Sequence, residues 1–307
     1  ATLYAAARTK NWTRTFRTAL VLDEDIDPAI LQKALEDAAK RFPFFCVQLR
    51  DGFFWSYFER IDETPKIVPD TNYPYRPIDL GDNKKPCFRI LYGKNRIVLE
   101  GFHSLGDGTA TKIFLSTLTA HYLTLKGEKV EPDGKLVLSV EDKTKAEEAR
   151  DDYYTHADPN AKAKNPPRVS VHIGENKPLP SYVSLIHGIC RVEDLKACAK
   201  KYSLTITEYL TAVLIYTYYN TEEHDGKPIS VSVPIDLRKR FESKSLRNFC
   251  FMTDVSFDPK ERETVSFSEI CDEIRGKLAE KASKEELLSA ISSNVSAASN
   301  PVLKIVP

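Results

Sequence analysis

Residues 96–123, RIVLEGFHSLGDGTATKIFLSTLTAHYL, join a strand to a helix through a short, glycine-bearing loop. The stretch ending at Phe102 is rich in β-branched and apolar residues, as strands are. From Thr109 the period switches, and Ile113, Phe114, Leu118 and Tyr122 fall on one helical face. His103 to Gly108 therefore lie between a strand end and a helix start. Upstream, CFRILY and RIVLEGFH flank Gly93-Lys94-Asn95 and form a hairpin. A second hairpin is expected from FFCVQLR (44–50) and FFWSYFER (53–60) around a two-residue turn at Asp51-Gly52, a dipeptide that tolerates positive φ. Thr15 to Leu22 read as a further strand. Asp27 then offers an N-cap and Pro28 the first helical position, and Ile30, Leu31, Ala34, Leu35 and Ala38 recur at helical spacing up to Phe42 and Pro43.

Between Lys126 and Ser181 the apolar density falls, and EDKTKAEEARDDYYTHADPNAKAKNPP (141–167) reads as an exposed linker with a short charged helix inside it. Beyond it, YVSLIHGICR (182–191) reads as a strand and VEDLKACAKKY (192–202) as a helix. Thr205 and Glu208 form a capping box ahead of EYLTAVLIYTYY, a strongly apolar helix. PISVSVPIDLR and FCFMTDVSF are strands; Ser266 with Glu269 caps a helix to about Ala282, and Ser283 with Glu286 starts one more. Each half thus opens with a strand, an acidic connection and an amphipathic helix, a faint internal duplication. Antiparallel hairpins mixed with helices predict an α+β sandwich rather than a doubly wound parallel sheet. The expected organisation is 1–125, a 126–180 linker, and 181–307.

The 307 residues carry 44 Lys plus Arg and 44 Asp plus Glu, so no basic excess points to nucleic acid. The stretch from Tyr209 to Tyr219, broken by Thr211 and Thr217, is far below the ~18 residues that span a bilayer. The first residues lack the apolar core of a secretory signal, so a cytoplasmic location is expected. No CxxC pair occurs among Cys46, Cys87, Cys190, Cys198, Cys250 and Cys271, which read as buried free thiols. His121 and His187 read as packing residues. His156, His172 and His224 have no partner at a zinc-ligand spacing, so no metal is expected. Phe53, Phe54, Trp55, Tyr57 and Phe58 read as sheet core and its outer face. Neither GxGxxG nor GxxxxGK[ST] is present.

HSLGDG is the candidate for chemistry. HxxxD alone is expected by chance about 0.4 times in a chain of this composition, and with the added glycine about 0.02 times. A histidine at a strand end suits proton removal from a weakly acidic nucleophile, because imidazole titrates near neutrality and one ring nitrogen accepts. A purely structural reading also fits: Asp107 N-caps the helix, Gly108 eases the turn and His103 is a satisfied buried histidine. A second string, SVSVPIDLRKRFESKSLRNF (230–249), places Asp236 and Arg238 at a strand end and Asn248 just before the next strand. Arg238 is either a surface charge or a permanently charged partner for a buried carboxylate such as Asp107. Two such strings in opposite halves point to an interdomain site.

FCVQLRDGFFWSYFE, FHSLGDGTA and VPIDLRKRFESKSLRNF together resemble the HxxxD acyltransferases of the chloramphenicol acetyltransferase-like superfamily. The likeness is greatest to bacterial alcohol acetyltransferase-like proteins, in which FxVRLRxGxFWxYxE, FH(A/S)LxDGTG and VPVDLRKxFxSxxLRNF recur. The resemblance covers essentially the whole chain. It implies two similar α/β sandwich domains with mixed, largely antiparallel sheets and a tunnel between them, and a remainder of the second domain beyond Pro307. It implies acyl transfer from acetyl-CoA or another acyl-CoA to an alcohol or amine, with no bound cofactor. His103 would be the general base, Asp107 would support the loop by pairing with Arg238, and Gly108 would keep the tunnel wall low. Asn248 would line the tunnel where the family often has a glycine-asparagine pair; Arg247 replaces that glycine, which weakens a site role for Asn248. A single histidine in Phe102-His103, instead of a double one, leans away from condensation domains. Condensation-like transfer from a carrier-protein thioester, and an acyl-CoA-binding descendant without turnover, remain the alternatives.

Overall fold

A computed structural model describes residues 14–52, 56–71, 74, 78, 80, 85–158, 160, 186, 188–221, 227–259 and 264–299. The strands are β1 (Thr15–Val21), β2 (Val47–Asp51), β3 (Ser56–Arg60), β4 (Val68–Pro69), β5 (Phe88–Tyr92), β6 (Arg96–Phe102), β7 (Ile229–Asp236) and β8 (Cys250–Phe257). The helices are α1 (Pro28–Arg41), α2 (Gly108–Leu125), α3 (Asp152–His156), α4 (Val192–Lys201), α5 (Ile206–Thr221), α6 (Arg238–Phe241), α7 (Phe267–Lys281) and α8 (Lys284–Ser299). One sheet has the order β1-β6-β5-β4, and β2-β3 and β7-β8 are two-stranded. Every described pairing is antiparallel except β4 with β5. This is the α+β architecture expected from the hairpins.

The first half is built around α2. Asp27 caps α1 by accepting from Ala29 N and Ile30 N at 2.8 and 3.1 Å, and its own N–H donates to the hydroxyl of buried Tyr122 near the end of α2. Leu31, Ala34, Leu35 and Ala38 bury one face of α1, their short alanines allowing close approach. Phe114 of α2 stacks on Phe45 at 4.8 Å and meets Phe42 and Phe88 edge-on at 5.1 and 5.5 Å, geometries that aromatic quadrupoles favour. Leu99 and Ile97 alternate toward this core, which puts Glu100 on the opposite face of β6. Fully buried Glu100 is held there by Arg17 and Arg89, directly across the ladder from it.

Several expectations need correction. Asp51 pairs with Ser56, so the β2-β3 connection is longer than two residues, because the second strand starts later than its aromatic run; residues 53–55 lie outside the described residues. The strand expected at 182–191 lies largely outside them too, and 188–191 are not in a strand. His121 is more than a packing residue, since its Nε2 lies 3.2 Å from Asp37 Oδ2; His187 is outside the described residues. Of the cysteines, Cys46, Cys87 and Cys271 are buried, Cys198 and Cys250 are half-buried, and Cys190 is exposed.

The largest departure is the exposed linker. Glu148 and Asp152 are buried, and Glu148 takes a two-bonded fork from buried Arg41, both contacts at 2.7 Å. Thr144 Oγ1 donates to the Arg41 carbonyl, Leu246 N donates to the Glu148 carbonyl at 2.8 Å, and Ser245 Oγ donates to the Arg150 carbonyl at 2.6 Å. Residues 144–153 therefore form a strap tied to the first half at one side and to the 245–250 segment at the other. Composition reads the charges as solvated, and most of them are exposed; Glu148 is the exception that a partner distant in sequence buries.

In the second half, α5 and α7 cover β7-β8 with Ala212, Ile215, Ile270 and Ile274 against Val233, Val255 and Phe257. The capping boxes form as expected: Glu208 N donates to Thr205 Oγ1, and Glu269 N to Ser266 Oγ, each at 3.3 Å. Leu246, from this half, is buried in the core of the first. Among the described residues no helix is long and apolar enough to cross a membrane.

Candidate active site

His103 follows the last residue of β6. Its N–H donates to the Arg14 carbonyl at 2.9 Å, and its ring packs on Phe16, 4.9 Å between centroids, so backbone and ring are both restrained. The chain then turns, Leu105 N donating to the Phe102 carbonyl. Sequence reasoning passed over Gly106, yet it is the glycine that this turn requires. A Cβ there would lie 2.9 Å from Ala110 Cβ and 3.3 Å from the Leu246 carbonyl, so α2 and the 245–249 segment would have to shift. A Cβ at Gly108 would meet nothing within 4 Å.

Asp107 does two jobs with one carboxylate. Oδ1 accepts from Ala110 N at 3.1 Å, capping α2, and from Arg238 Nη2 at 3.0 Å. Oδ2 accepts from Arg238 Nη1 at 2.9 Å and from Phe249 N at 2.8 Å. Arg238 uses all its donors: beyond Asp107, Nη1 reaches Asp236 Oδ1 at 3.0 Å, and Nε and Nη2 reach the carbonyls of Ser245 and Arg247, both at 2.7 Å. Burial opposes the Arg238 charge, but the Asp107 and Asp236 carboxylates outweigh it and hold the guanidinium above its ordinary range. Burial likewise works against ionised Asp236, yet the Arg238 backbone N–H, the Thr109 hydroxyl at 2.8 Å and the Arg238 charge hold it below the usual carboxylate range. Cys250 nearby is pushed up to about 11, first by burial and then by Asp107, so it is a thiol and not a nucleophile at neutral pH.

Asn248 is where the structure corrects the sequence. It is buried and grips His103 with both ends: Nδ2 lies 2.7 Å from the His103 carbonyl and Oδ1 lies 3.2 Å from His103 Nδ1. A backbone carbonyl only accepts, so the amide NH2 faces it and Oδ1 faces the ring. Nδ1 must then be the donor. This arrangement puts the neutral imidazole proton on Nδ1 and the ring lone pair on Nε2. His103, Asp107 and Thr109 come from the first half and Asp236, Arg238 and Asn248 from the second. Among the described residues, no group of three or more His, Cys, Asp or Glu side chains is placed to hold a metal ion.

No protein-family model matches the chain, and no curated protein matches it in sequence. Solved structures do. The chain is similar to TRI101 of F. sporotrichioides, solved with coenzyme A and T-2, with a TM-score of 0.58 at 13% identity over 96% of this chain and 76% of that one. It is similar to SgcC5 of Streptomyces globisporus, with a TM-score of 0.56 at 15% identity over 94% and 72%. It is also similar to the first condensation domain of the calcium-dependent antibiotic synthetase, with a TM-score of 0.52 at 14% identity over 89% and 70%. The fold is thus the two-domain chloramphenicol acetyltransferase-like fold.

Proposed function

We propose that this chain moves an acetyl or other short acyl group from an acyl-CoA to an alcohol or amine, with His103 as general base. The observation that carries the reading is the two-point grip of Asn248 on His103, which directs the imidazole lone pair to Nε2. As the acceptor oxygen or nitrogen attacks the thioester carbonyl carbon, its proton passes to Nε2. The tetrahedral adduct collapses by breaking the C–S bond, and the Nε2 proton passes to the departing thiolate. A rigid strand end and a fixed tautomer supply the orientation that such a transfer needs.

Asp107 is a positioning residue in this scheme. Its carboxylate already accepts four hydrogen bonds, so it holds the loop and does not relay a proton. Similarity to a structure solved with coenzyme A supports CoA as the thioester carrier.

The test is thiol release from acetyl-CoA by the protein with a panel of alcohols and amines, beside the His103→Ala variant. The expected result is acceptor-dependent release that falls about 10²- to 10⁴-fold in the variant. A loss below tenfold would remove His103 from the role of base. Release only from a phosphopantetheinylated carrier protein would transfer the donor to that class.

A further inference from the structure

Arg247 sits beside Asn248 in the chain, and its surroundings set it apart from the other arginines of the molecule. Six described arginines are at least partly buried: Arg17, Arg41, Arg50, Arg89, Arg238 and Arg247. Five of them hold a carboxylate at 2.9 Å or less. Arg247 makes no ion pair among the described residues.

Its backbone is pinned, the N–H donating to Ser245 Oγ at 3.1 Å and the carbonyl accepting from Arg238 Nη2 at 2.7 Å. Its guanidinium lies over the Phe58 ring, 5.8 Å from the centroid, and so spans the seam between the halves. The one described carboxylate that acts on its charge, Asp151, caps α3 by accepting from Tyr153 N. Burial pulls the guanidinium below its ordinary range, with Asp151 opposing. A half-buried cation without a counter-ion is costly unless something brings one.

We infer that Arg247 binds a carboxylate carried by the substrate, on either the acyl group or the acceptor, next to the carbonyl that His103 and Asn248 serve. The inference rests on the acyl-transfer reading. A carboxylate fits better than the phosphates of CoA for two reasons. The guanidinium is a single planar fork lying on the Phe58 ring face, with edges suited to a carboxylate. In the chain it also immediately precedes the asparagine that touches His103, whereas the pantetheine arm keeps the CoA phosphates far from the reacting carbonyl.

The experiment measures calorimetric binding to the whole protein and to its Arg247→Gln and Arg247→Lys variants. One pair of probes is succinyl-CoA against butyryl-CoA; the others, on CoA-saturated protein, are 3-hydroxybutyrate against 2-butanol and β-alanine against propylamine. The expected result is that the wild type favours the carboxylate in the donor pair or in an acceptor pair by about 10- to 100-fold. That ratio should collapse toward one in Arg247→Gln and be partly kept in Arg247→Lys. The pair that responds tells whether the carboxylate is on the donor or the acceptor. A wild type that binds butyryl-CoA yet discriminates within no pair overturns the inference alone, as does a preference that survives in Arg247→Gln. A wild type that binds neither thioester nor CoA overturns the acyl-CoA reading and the inference with it.

Discussion

The two halves contribute to the site on different terms. The first half carries His103 and Asp107 on a strand and a helix packed around Phe45, Phe88 and Phe114, so its contribution is held by its own core. The second half contributes Asn248 from an irregular segment. That segment is fixed from outside: Leu246 is buried in the first half's core, Phe249 N is bonded to Asp107, and Arg238 forks onto the same carboxylate. The second half's own apolar helix α5 still exposes Leu210 and Leu214, 49% and 43% accessible. The site is therefore only as rigid as the seam, and the seam depends on a few buried charges.

The Asp107–Arg238 fork offers the sharpest way to break this comparison. Asp107→Ala leaves a buried guanidinium with half its counter-charge and should cost about 3 to 5 kcal/mol. Arg238→Met should behave alike, and the double variant should cost less than the two singles added, since each removes the same fork. Thermal unfolding checks all three. Loss of turnover in Asp107→Ala at an unchanged melting temperature would give Asp107 a chemical role and refute its structural one.

A smaller effect is expected in acid. Burial works against ionised Glu148, but Arg41 and the Lys145 N–H outweigh it, so both Glu148 and Asp236 are held below the carboxylate range. Groups depressed on folding contribute stability that is complete above their unfolded values, 4.5 and 3.8, and is lost as pH falls through the depressed ones. Hydrogen exchange between pH 5 and 2.5 should therefore show the amides of Leu246 and Phe249 losing protection while those of Ile97 and Leu99 keep theirs. Simultaneous loss at all four would mean that the halves do not differ in this way.

Where the signals are local, the fold is legible in the sequence. Asp27-Pro28 and the 3.6-residue period marked α1, the glycine turn at 93–95 marked β5-β6, and Ser266 with Glu269 marked α7, because caps and periodicity act within one turn. The strap at 144–153 is not legible in composition because its anchor, Arg41, lies 107 residues from Glu148, and a run of charges looks solvated until its partners are known. The role of Asn248 is hidden for a similar reason. Its neighbour departs from a familiar pattern, and the contact that gives it a role spans 145 residues. His103 and Arg238 stand out because each lies just past a strand end, but their mutual placement through Asp107 is a property of the seam.

The central claim, that the second half sets the proton position on the first half's histidine, is tested most directly by 15N NMR of the imidazole of His103. The spectra would be recorded on histidine-labelled protein at alkaline pH, where imidazole is neutral, with the kcat of wild type and Asn248→Ala measured alongside. The expected result is a proton on Nδ1 and a bare Nε2 in the wild type, with mixed tautomers and a kcat about 10- to 100-fold lower in the variant. A proton on Nε2 in the wild type, or a variant in which tautomer and kcat are both unchanged, would contradict the account.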